Sequence, residues 1–152
     1  YHTVTPYLAC RGAANALAFY AKAFGAKETS RMPGPGGSVM HAEMRVGDSM
    51  IMLSDENPQM GMVAPGTGGV PVQIFLSVKE VDKAFAQAVG AGAKADMPPM
   101  DMFWGDRFGK LTDPFGHKWS VATHTEDVSP KEMGRRMAAE MAKQQAQPAA
   151  GQ

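Results

Sequence analysis

One pattern of residues occurs twice in this chain, with an offset of 67 or 68 positions. The segment YLACR at 7–11 corresponds to FLSVK at 75–79, and GAK at 25–27 corresponds to GAK at 92–94. Both halves also close with a turn and an apolar strand, GDSMIML at 47–53 and FGHKWSV at 115–121. A repeat of this length is one supersecondary unit that buries its apolar face only against a neighbour. The sequence therefore predicts two similar units that share a core.

Hydrophobic periodicity predicts the same elements in each unit. Strict alternation and turn residues indicate four strands, and apolar residues at helical spacing indicate one helix after the first strand. In the first unit the strands are predicted over 4–10, 26–32, 38–46 and 49–53, with a helix over 13–24 that ends at Gly25. In the second unit they are predicted over 70–78, 93–96, 107–112 and 117–123, with a helix over 81–89 that ends at Gly90.

The predicted domain organisation follows from these elements. The repeats cover about 3–55 and 70–124, and a Gly/Pro/Asn-rich linker without periodicity covers 56–69. Together they form one domain over 1–127 with an α+β fold, in which two βαβββ repeats form curved mixed sheets around a cleft. The pair Pro98-Pro99 is expected to end the short strand that precedes it.

A further helix is predicted after this domain, within residues 128–152. Ser129 is a good N-cap and Pro130 suits the first helical position, so the helix is predicted to run to about Gln144, with a frayed tail over 145–152. Methionines at 133, 137 and 141 form one apolar stripe. The stripe packs on its own domain in one interpretation and docks on a partner subunit in the other.

Charge and cysteine content exclude several classes of protein. Fifteen basic residues balance fifteen acidic ones, so there is no basic surface for nucleic acid. No apolar run is long enough to span a bilayer, and the first residues lack the pattern of a secretory signal. Cys10 is the one cysteine, which excludes an internal disulfide and favours a packed thiol over a nucleophile. We therefore expect a cytoplasmic protein with neither a nucleic-acid nor a membrane partner.

Five segments resemble a known family when they are taken in order. They are VTPYL at 4–8, AFYAKAFGA at 18–26, MHAEMRVGD at 40–48, WGDRFG at 104–109 and DPFGHKWS at 113–120. They are similar to the glyoxalase and bleomycin-resistance proteins of the vicinal-oxygen-chelate superfamily, and to its PhnB-like branch in particular. The resemblance implies paired βαβββ modules, a small ligand in the cleft, and a homodimer.

The resemblance also implies where a metal would be bound. Metal enzymes of the superfamily place one His, Glu or Gln ligand on the first and last strand of each half. The corresponding positions here hold Thr5, Met52, Gln73 and Ser120. Of these only Gln73 is a suitable ligand, because divalent cations prefer carboxylate, carbonyl or imidazole donors. We therefore predict that the protein holds no such metal.

Two other groups of residues carry possible chemistry. His41 and Glu43 lie two positions apart, so they share one face of a strand, where they could bind a divalent metal or act as a general base. The alternative is a hydrogen-bonded pair on the strand surface. Trp104 offers a stacking face, and Asp106 with Arg107 could orient a polar ligand. The alternative there is a structural ion pair beneath a packed indole.

Three functions remain open at this point. The first is a protein that binds a small molecule in the cleft without a cofactor, and its predicted ligand-binding residues are Thr5, Tyr7, Met52, Gln73, Phe75, Trp104, Asp106, Arg107 and Ser120. The second is a metal-dependent lyase, isomerase or dioxygenase that uses His41 and Glu43. The third is an interaction module that works through the C-terminal helix. Methionines either line an adaptable cavity or fill the core, and His117 is expected to stabilise its turn rather than bind a metal.

Overall fold

The structure is a computed structural model, and it describes residues 1–146. Each half contains four strands and one helix in the order β-α-β-β-β, and a third helix follows. In the first half these are β1 (Tyr7–Cys10), α1 (Ala13–Phe24), β2 (Lys27–Pro33), β3 (Val39–Val46) and β4 (Ser49–Asp55). In the second half they are β5 (Gln73–Ser77), α2 (Val81–Ala91), β6 (Lys94–Asp101), β7 (Asp106–Thr112) and β8 (Lys118–His124), followed by α3 (Pro130–Ala146).

Each half forms its own four-stranded mixed sheet. The strand orders are β1-β4-β3-β2 and β5-β8-β7-β6, so the first and last strands of each half are parallel neighbours and the other pairs are antiparallel. Helix α1 packs on the first sheet and α2 on the second, and the two helices pack against each other. This confirms the predicted α+β fold of two βαβββ units. Within residues 1–146 no helix is long and apolar enough to cross a membrane.

The helix of each half is capped by the last strand of the same half. The Asp55 carboxylate accepts hydrogen bonds from the backbone N–H groups of Gly12 and Ala13 at 3.0 and 2.9 Å. In the second half the Thr123 hydroxyl accepts one from Val81 N–H at 2.8 Å. These caps satisfy helix N–H groups that have no partner within the helix. Asp55 and Thr123 occupy equivalent positions of the repeat. The last strand therefore caps the helix in both halves, with a carboxylate in the first and a hydroxyl in the second.

Several predicted element ends were wrong. Strands β1 and β5 each begin three residues later than predicted, at Tyr7 and Gln73. Strand β6 continues through Pro98-Pro99 to Asp101, with an irregular register between Met97 and Met100. Proline is tolerated there because β6 is an edge strand that pairs with β7 alone, so its outward-facing backbone needs no partner. Helix α2 continues past Gly90 and ends at Gly92, which has a positive φ of 125°. Glycine inside a helix costs only about 1 kcal/mol, which packing readily offsets.

The two halves share one core between their helices and both sheets. Trp119 of β8 is 1% exposed, and its ring centroid lies 4.5 Å from that of Phe24 and 5.6 Å from that of Tyr20. Phe19 and Phe115 extend the same cluster. Since Tyr20 and Phe24 belong to α1, this aromatic packing joins the first half to the second.

The buried carboxylate of Asp113 provides the polar connection between the halves. One oxygen accepts hydrogen bonds from the backbone N–H groups of Phe115 and His117, at 2.9 and 3.0 Å. The other accepts from the Tyr20 hydroxyl at 2.5 Å and from the Trp119 indole N–H at 2.9 Å. Four donors therefore compensate for the burial of one charge, as a buried carboxylate requires.

Helix α3 begins as predicted and is held at its first turns. The Ser129 hydroxyl accepts a hydrogen bond from Glu132 N–H, and Arg136 pairs with Glu126 and donates to the Phe103 carbonyl. No residue of α3 is buried, and Met137 and Met141 are 47% and 54% exposed. The described part of the chain therefore leaves most of the stripe uncovered. The helix runs to Ala146, past the predicted end; the remainder of the predicted tail lies outside the described residues.

We expect Asp113→Ala to destabilise the fold by about 3–5 kcal/mol, because it leaves two buried side-chain donors and two backbone donors without their acceptor. Tyr20→Phe removes one of these bonds and should cost about 1 kcal/mol. Urea denaturation measures both. Asp101→Ala removes an exposed carboxylate and is the matched control. A cost for Asp113→Ala similar to that of the control would contradict the role given to this carboxylate.

Candidate functional site

The faces of the two sheets that point away from the helices carry most of the predicted ligand-binding residues. Across the first sheet the register aligns Tyr7, Met52 and Glu43 in one row. Across the second sheet it aligns Phe75, Ser120 and Lys110. Residues in register on neighbouring strands point to the same face of the sheet, because the pleats of paired strands are aligned. These two faces are called the open faces below.

A groove of about 840 Å³ lies between β1, the start of β5 and the linker that joins the two halves. This volume is typical of sites for small organic ligands. Tyr7, Gln73 and Phe75, three of the nine predicted ligand-binding residues, line it. The structure adds residues that sequence reasoning did not select, and these are Met62, Val63, Val70, Val72, His117 and Lys118. The linker residues were missed because they show no periodicity, although their apolar content was a usable signal.

An aromatic layer continues from the groove along the second open face. Phe75 is 55% exposed and stacks on Phe108 with ring centroids 6.0 Å apart. Trp104 meets the edge of Phe108 at 5.6 Å and of Phe103 at 5.2 Å. Its indole N–H donates to Asp106 at 3.1 Å. Trp104 thus lies half-buried in this layer, beside the groove and not in its lining.

Asp106 and Arg107 lie on opposite faces of β7 and do not form the predicted pair. Asp106 bonds to Trp104 and, at 2.9 Å, to His124. The hydrogen bonds of His124 to Asp106 and to Asp127 raise the pKa of this histidine. Arg107 instead faces α2, where its Nε and Nη2 donate to the Asp82 carboxylate at 2.8 and 2.9 Å. Its Nη1 donates to Asp101 at 3.3 Å.

The Arg107–Asp82 pair is largely exposed, so it adds little to stability. The same holds for the Glu28–Arg31 pair on β2. Arg107 therefore serves as a surface connection between β7 and the first turn of α2. The structure does not bring it together with the other predicted ligand-binding residues.

The four positions that would hold the superfamily metal do not offer a suitable set of donors. Met52 and Ser120 lie on the open faces, Gln73 is exposed at the start of β5, and Thr5 precedes β1 with its hydroxyl directed to the His2 carbonyl. Threonine, serine and methionine are weak ligands for hard or borderline divalent ions. Among the described residues no group of three His, Cys, Asp or Glu side chains is placed to hold a metal.

His41 and Glu43 form a hydrogen-bonded pair and do not present free donors. Nε2 of His41 lies 3.1 Å from the Glu43 carboxylate, and Nδ1 lies 2.8 Å from the Tyr7 hydroxyl. Both imidazole nitrogens therefore have protein partners. Hydrogen bonds from Tyr1 and His41 lower the pKa of Glu43. A metal at this site would have to displace these contacts.

His117 joins the two halves in addition to shaping its turn. Its backbone N–H bonds to Asp113, and its Nε2 lies 2.9 Å from the Ala9 carbonyl of β1. Cys10 is fully buried beside it, with its sulfur 4.0 Å from Nε2. Burial, together with Asp113 and Asp55, raises the pKa of the thiol to about 12. Cys10 is therefore an unreactive packed thiol at neutral pH, in line with the expectation.

Methionines serve both of the purposes weighed from the sequence. Met44 is fully buried in the core, whereas Met52 lies half-buried on the first open face and Met62 lines the groove. Met40 and Met100 are exposed on the first and second sheets.

The fold and these faces define a protein of paired βαβββ modules. The family model for the Glyoxalase/Bleomycin resistance protein/Dioxygenase superfamily matches residues 2–121. The chain belongs to this superfamily, as its motifs suggested.

Relatives of known sequence and structure agree with this membership. An uncharacterized protein of Mycobacterium bovis is 40% identical over 141 residues, which are 90% of this chain and 93% of the relative. Protein YjdN of Escherichia coli is 27% identical, over 78% of this chain and 92% of its own. The crystal structure of TioX from Micromonospora sp. ML1 has a TM-score of 0.66 at 26% identity, and covers 82% of this chain and 99% of TioX. A PhnB protein from Bacillus cereus shares the fold, with a TM-score of 0.64 at 20% identity over 80% of this chain and 99% of its own.

We predict that the purified protein retains no stoichiometric nickel or zinc, because the donor set of Thr5, Met52, Gln73 and Ser120 is unsuitable. Elemental analysis after dialysis measures this directly. Reloading with nickel should not produce glyoxalase activity, and a chelator should leave the melting temperature unchanged. About one tightly held metal ion per chain would contradict the prediction.

Proposed function

We propose that this protein is a PhnB-like member of the superfamily that binds a small apolar or aromatic molecule in the groove, without the usual metal. The observation that carries the proposal is the exposed Phe75 at the junction of the groove and the aromatic layer. An exposed aromatic ring beside a groove is typical of a binding site, because the ring offers a large rigid contact surface to a ligand. The single buried cysteine is compatible with a reducing compartment, so a cytoplasmic location is part of the proposal.

The groove has the chemistry of a site for such a ligand. Its walls are mainly apolar and include Val63, Val72 and the rings of Tyr7 and Phe75. The amide of Gln73 offers one donor and one acceptor at the same place. Apolar walls with few polar anchors favour flat molecules that carry one polar group. The linker contributes much of the wall, so its residues set the width of the groove.

We expect Phe75→Ala to weaken binding of the aromatic probe 1-anilinonaphthalene-8-sulfonate by about tenfold or more, since a ring contact contributes on the order of 1–2 kcal/mol. Probe fluorescence gives the affinity, and the emission of Trp104, which lies next to Phe108, reports occupancy from the protein side. The variant should remain folded because Phe75 is more than half exposed.

Val89→Ala is the matched control, since it removes a partly exposed apolar side chain from α2, away from the groove. Equal affinity in the parent, Phe75→Ala and Val89→Ala would refute binding at this groove.

We also propose that the protein is a homodimer. The open faces, the edge strands β2 and β6, and the Met137 and Met141 stripe of α3 expose apolar surface that a second copy could cover. Light scattering at micromolar concentration should give twice the chain mass of 16.2 kDa. Met137→Lys with Met141→Lys should weaken a dimer that uses α3, whereas Lys131→Glu changes charge outside the stripe. A mass equal to one chain in the parent protein would count against the dimer.

A further inference from the structure

A chain of hydrogen bonds on the first open face links three side chains from two strands. The Tyr7 hydroxyl of β1 lies 2.8 Å from Nδ1 of His41 on β3. Nε2 of the same ring lies 3.1 Å from the Glu43 carboxylate. The strand between them, β4, contributes Met52, which is in register with both Tyr7 and Glu43. The phenol therefore extends over an apolar side chain to reach the imidazole.

The carboxylate determines which imidazole nitrogen carries the proton. Glu43 can only accept, so Nε2 of a neutral His41 is the protonated nitrogen. Nδ1 then has a free lone pair, and it accepts the hydrogen bond that the Tyr7 hydroxyl donates. If Nδ1 took the Tyr7 proton fully, the resulting imidazolium would lie against the charge of Glu43. This arrangement of hydroxyl, imidazole and carboxylate has the logic of an activated hydroxyl group.

The three hydrogen-bonded side chains differ in exposure, and the hydroxyl at the outer end of the chain is the most accessible. Tyr7 is 43% exposed and also borders the groove, so a ligand can reach it. The side chains of His41 and Glu43 are more protected, at 29% and 14% exposure. Water therefore competes least at the imidazole–carboxylate bond and most at the phenol.

We propose that Tyr7, His41 and Glu43 form a proton relay in which Tyr7 is an acid–base residue for a ligand held at the rim of the groove. This step rests on the proposed small-molecule function, and the ligand class is an apolar molecule with an enol or phenol hydroxyl. The ligand O–H bond breaks and its proton passes to the Tyr7 oxygen, while the Tyr7 proton passes to Nδ1 of His41. The electron pair stays on the ligand oxygen, and the ligand leaves as its anion or returns by the reverse path.

The groups around His41 favour this transfer. On its own strand Glu43 is the nearest charge, and Tyr1 donates to the other oxygen of that carboxylate. Strand β2 places Met32 in register with His41, and β4 places Met52 in register with Glu43. The residues in register with the pair on both flanking strands are therefore uncharged. The guanidinium of Arg31 is held by Glu28. An imidazolium at this position would therefore meet the Glu43 carboxylate between two methionine side chains.

Methanesulfonyl fluoride tests the relay without any requirement for ligand recognition, because the reagent is small. The Tyr7 oxygen attacks sulfur, the new O–S bond forms as the S–F bond breaks, fluoride leaves, and the phenol proton passes to His41. Peptide mass spectrometry measures the rate at each of the three tyrosines. Tyr7 should be labelled, and buried Tyr20 should not react. Tyr1 is not a reference for the rate of Tyr7, because its hydroxyl donates to Glu43.

His41→Gln should slow labelling of Tyr7 by about 100-fold, and Glu43→Gln should slow it by about tenfold. His124→Gln removes another histidine–carboxylate pair, on the second sheet, and should leave the rate unchanged. Melting curves establish that the variants fold. The proposal is overturned if Tyr7 is not labelled, or if His41→Gln has no effect on the rate of Tyr7 labelling. Probe binding at Phe75 is measured separately, so failure of the relay and failure of the binding function are distinguishable.

Discussion

The buried carboxylate of Asp113 is the interaction on which the arrangement of the two halves depends. It shapes the turn before β8 through two backbone N–H groups and holds Trp119 of the same half. It also holds the Tyr20 hydroxyl of α1, which belongs to the other half. A charge buried in this way is tolerated only with several well-placed donors, so the halves have few alternative positions in which all four bonds form. His117, at the end of the same turn, then reaches the Ala9 carbonyl of β1 and places the two sheets side by side.

The helices and the shared core occupy one side of each sheet, so the open faces and the groove remain accessible from outside. The first face is polar, with Tyr7, His41 and Glu43 in contact, whereas the second is aromatic, with Phe75, Phe108 and Trp104. The positions that serve a metal in related enzymes hold side chains with poor affinity for one. The fold itself hosts many activities, so these side chains and not the architecture have to carry any argument about function.

Sequence reasoning succeeded where a short-range pattern is imposed by the fold and failed where a distant contact decides. The repeat, the strand alternation and the Ser129 cap predicted the elements and their order. The end of β6 was wrong because Pro98-Pro99 breaks a central strand but not an edge strand, and edge position is a property of the sheet. Arg107 was grouped with Asp106 by adjacency, yet neighbours on a strand point to opposite faces, and Asp82 of α2 binds the guanidinium. The pair His41 and Glu43 was recognised from its two-residue spacing, but its partner Tyr7 lies two strands away.

The sequence by itself determined the two βαβββ units, the superfamily and the poor donor set, because periodicity, turn chemistry and residue type are local properties. Only the tertiary structure decided which side chains meet across strands and halves. It placed the linker against β1 and β5 to form the groove, brought Tyr7 onto His41, and converted Asp113 from a turn residue into the link between the halves. These outcomes depend on sheet order and on the packing of α1 against α2, and they join residues more than 30 positions apart in the chain, a distance at which no sequence pattern specifies contact.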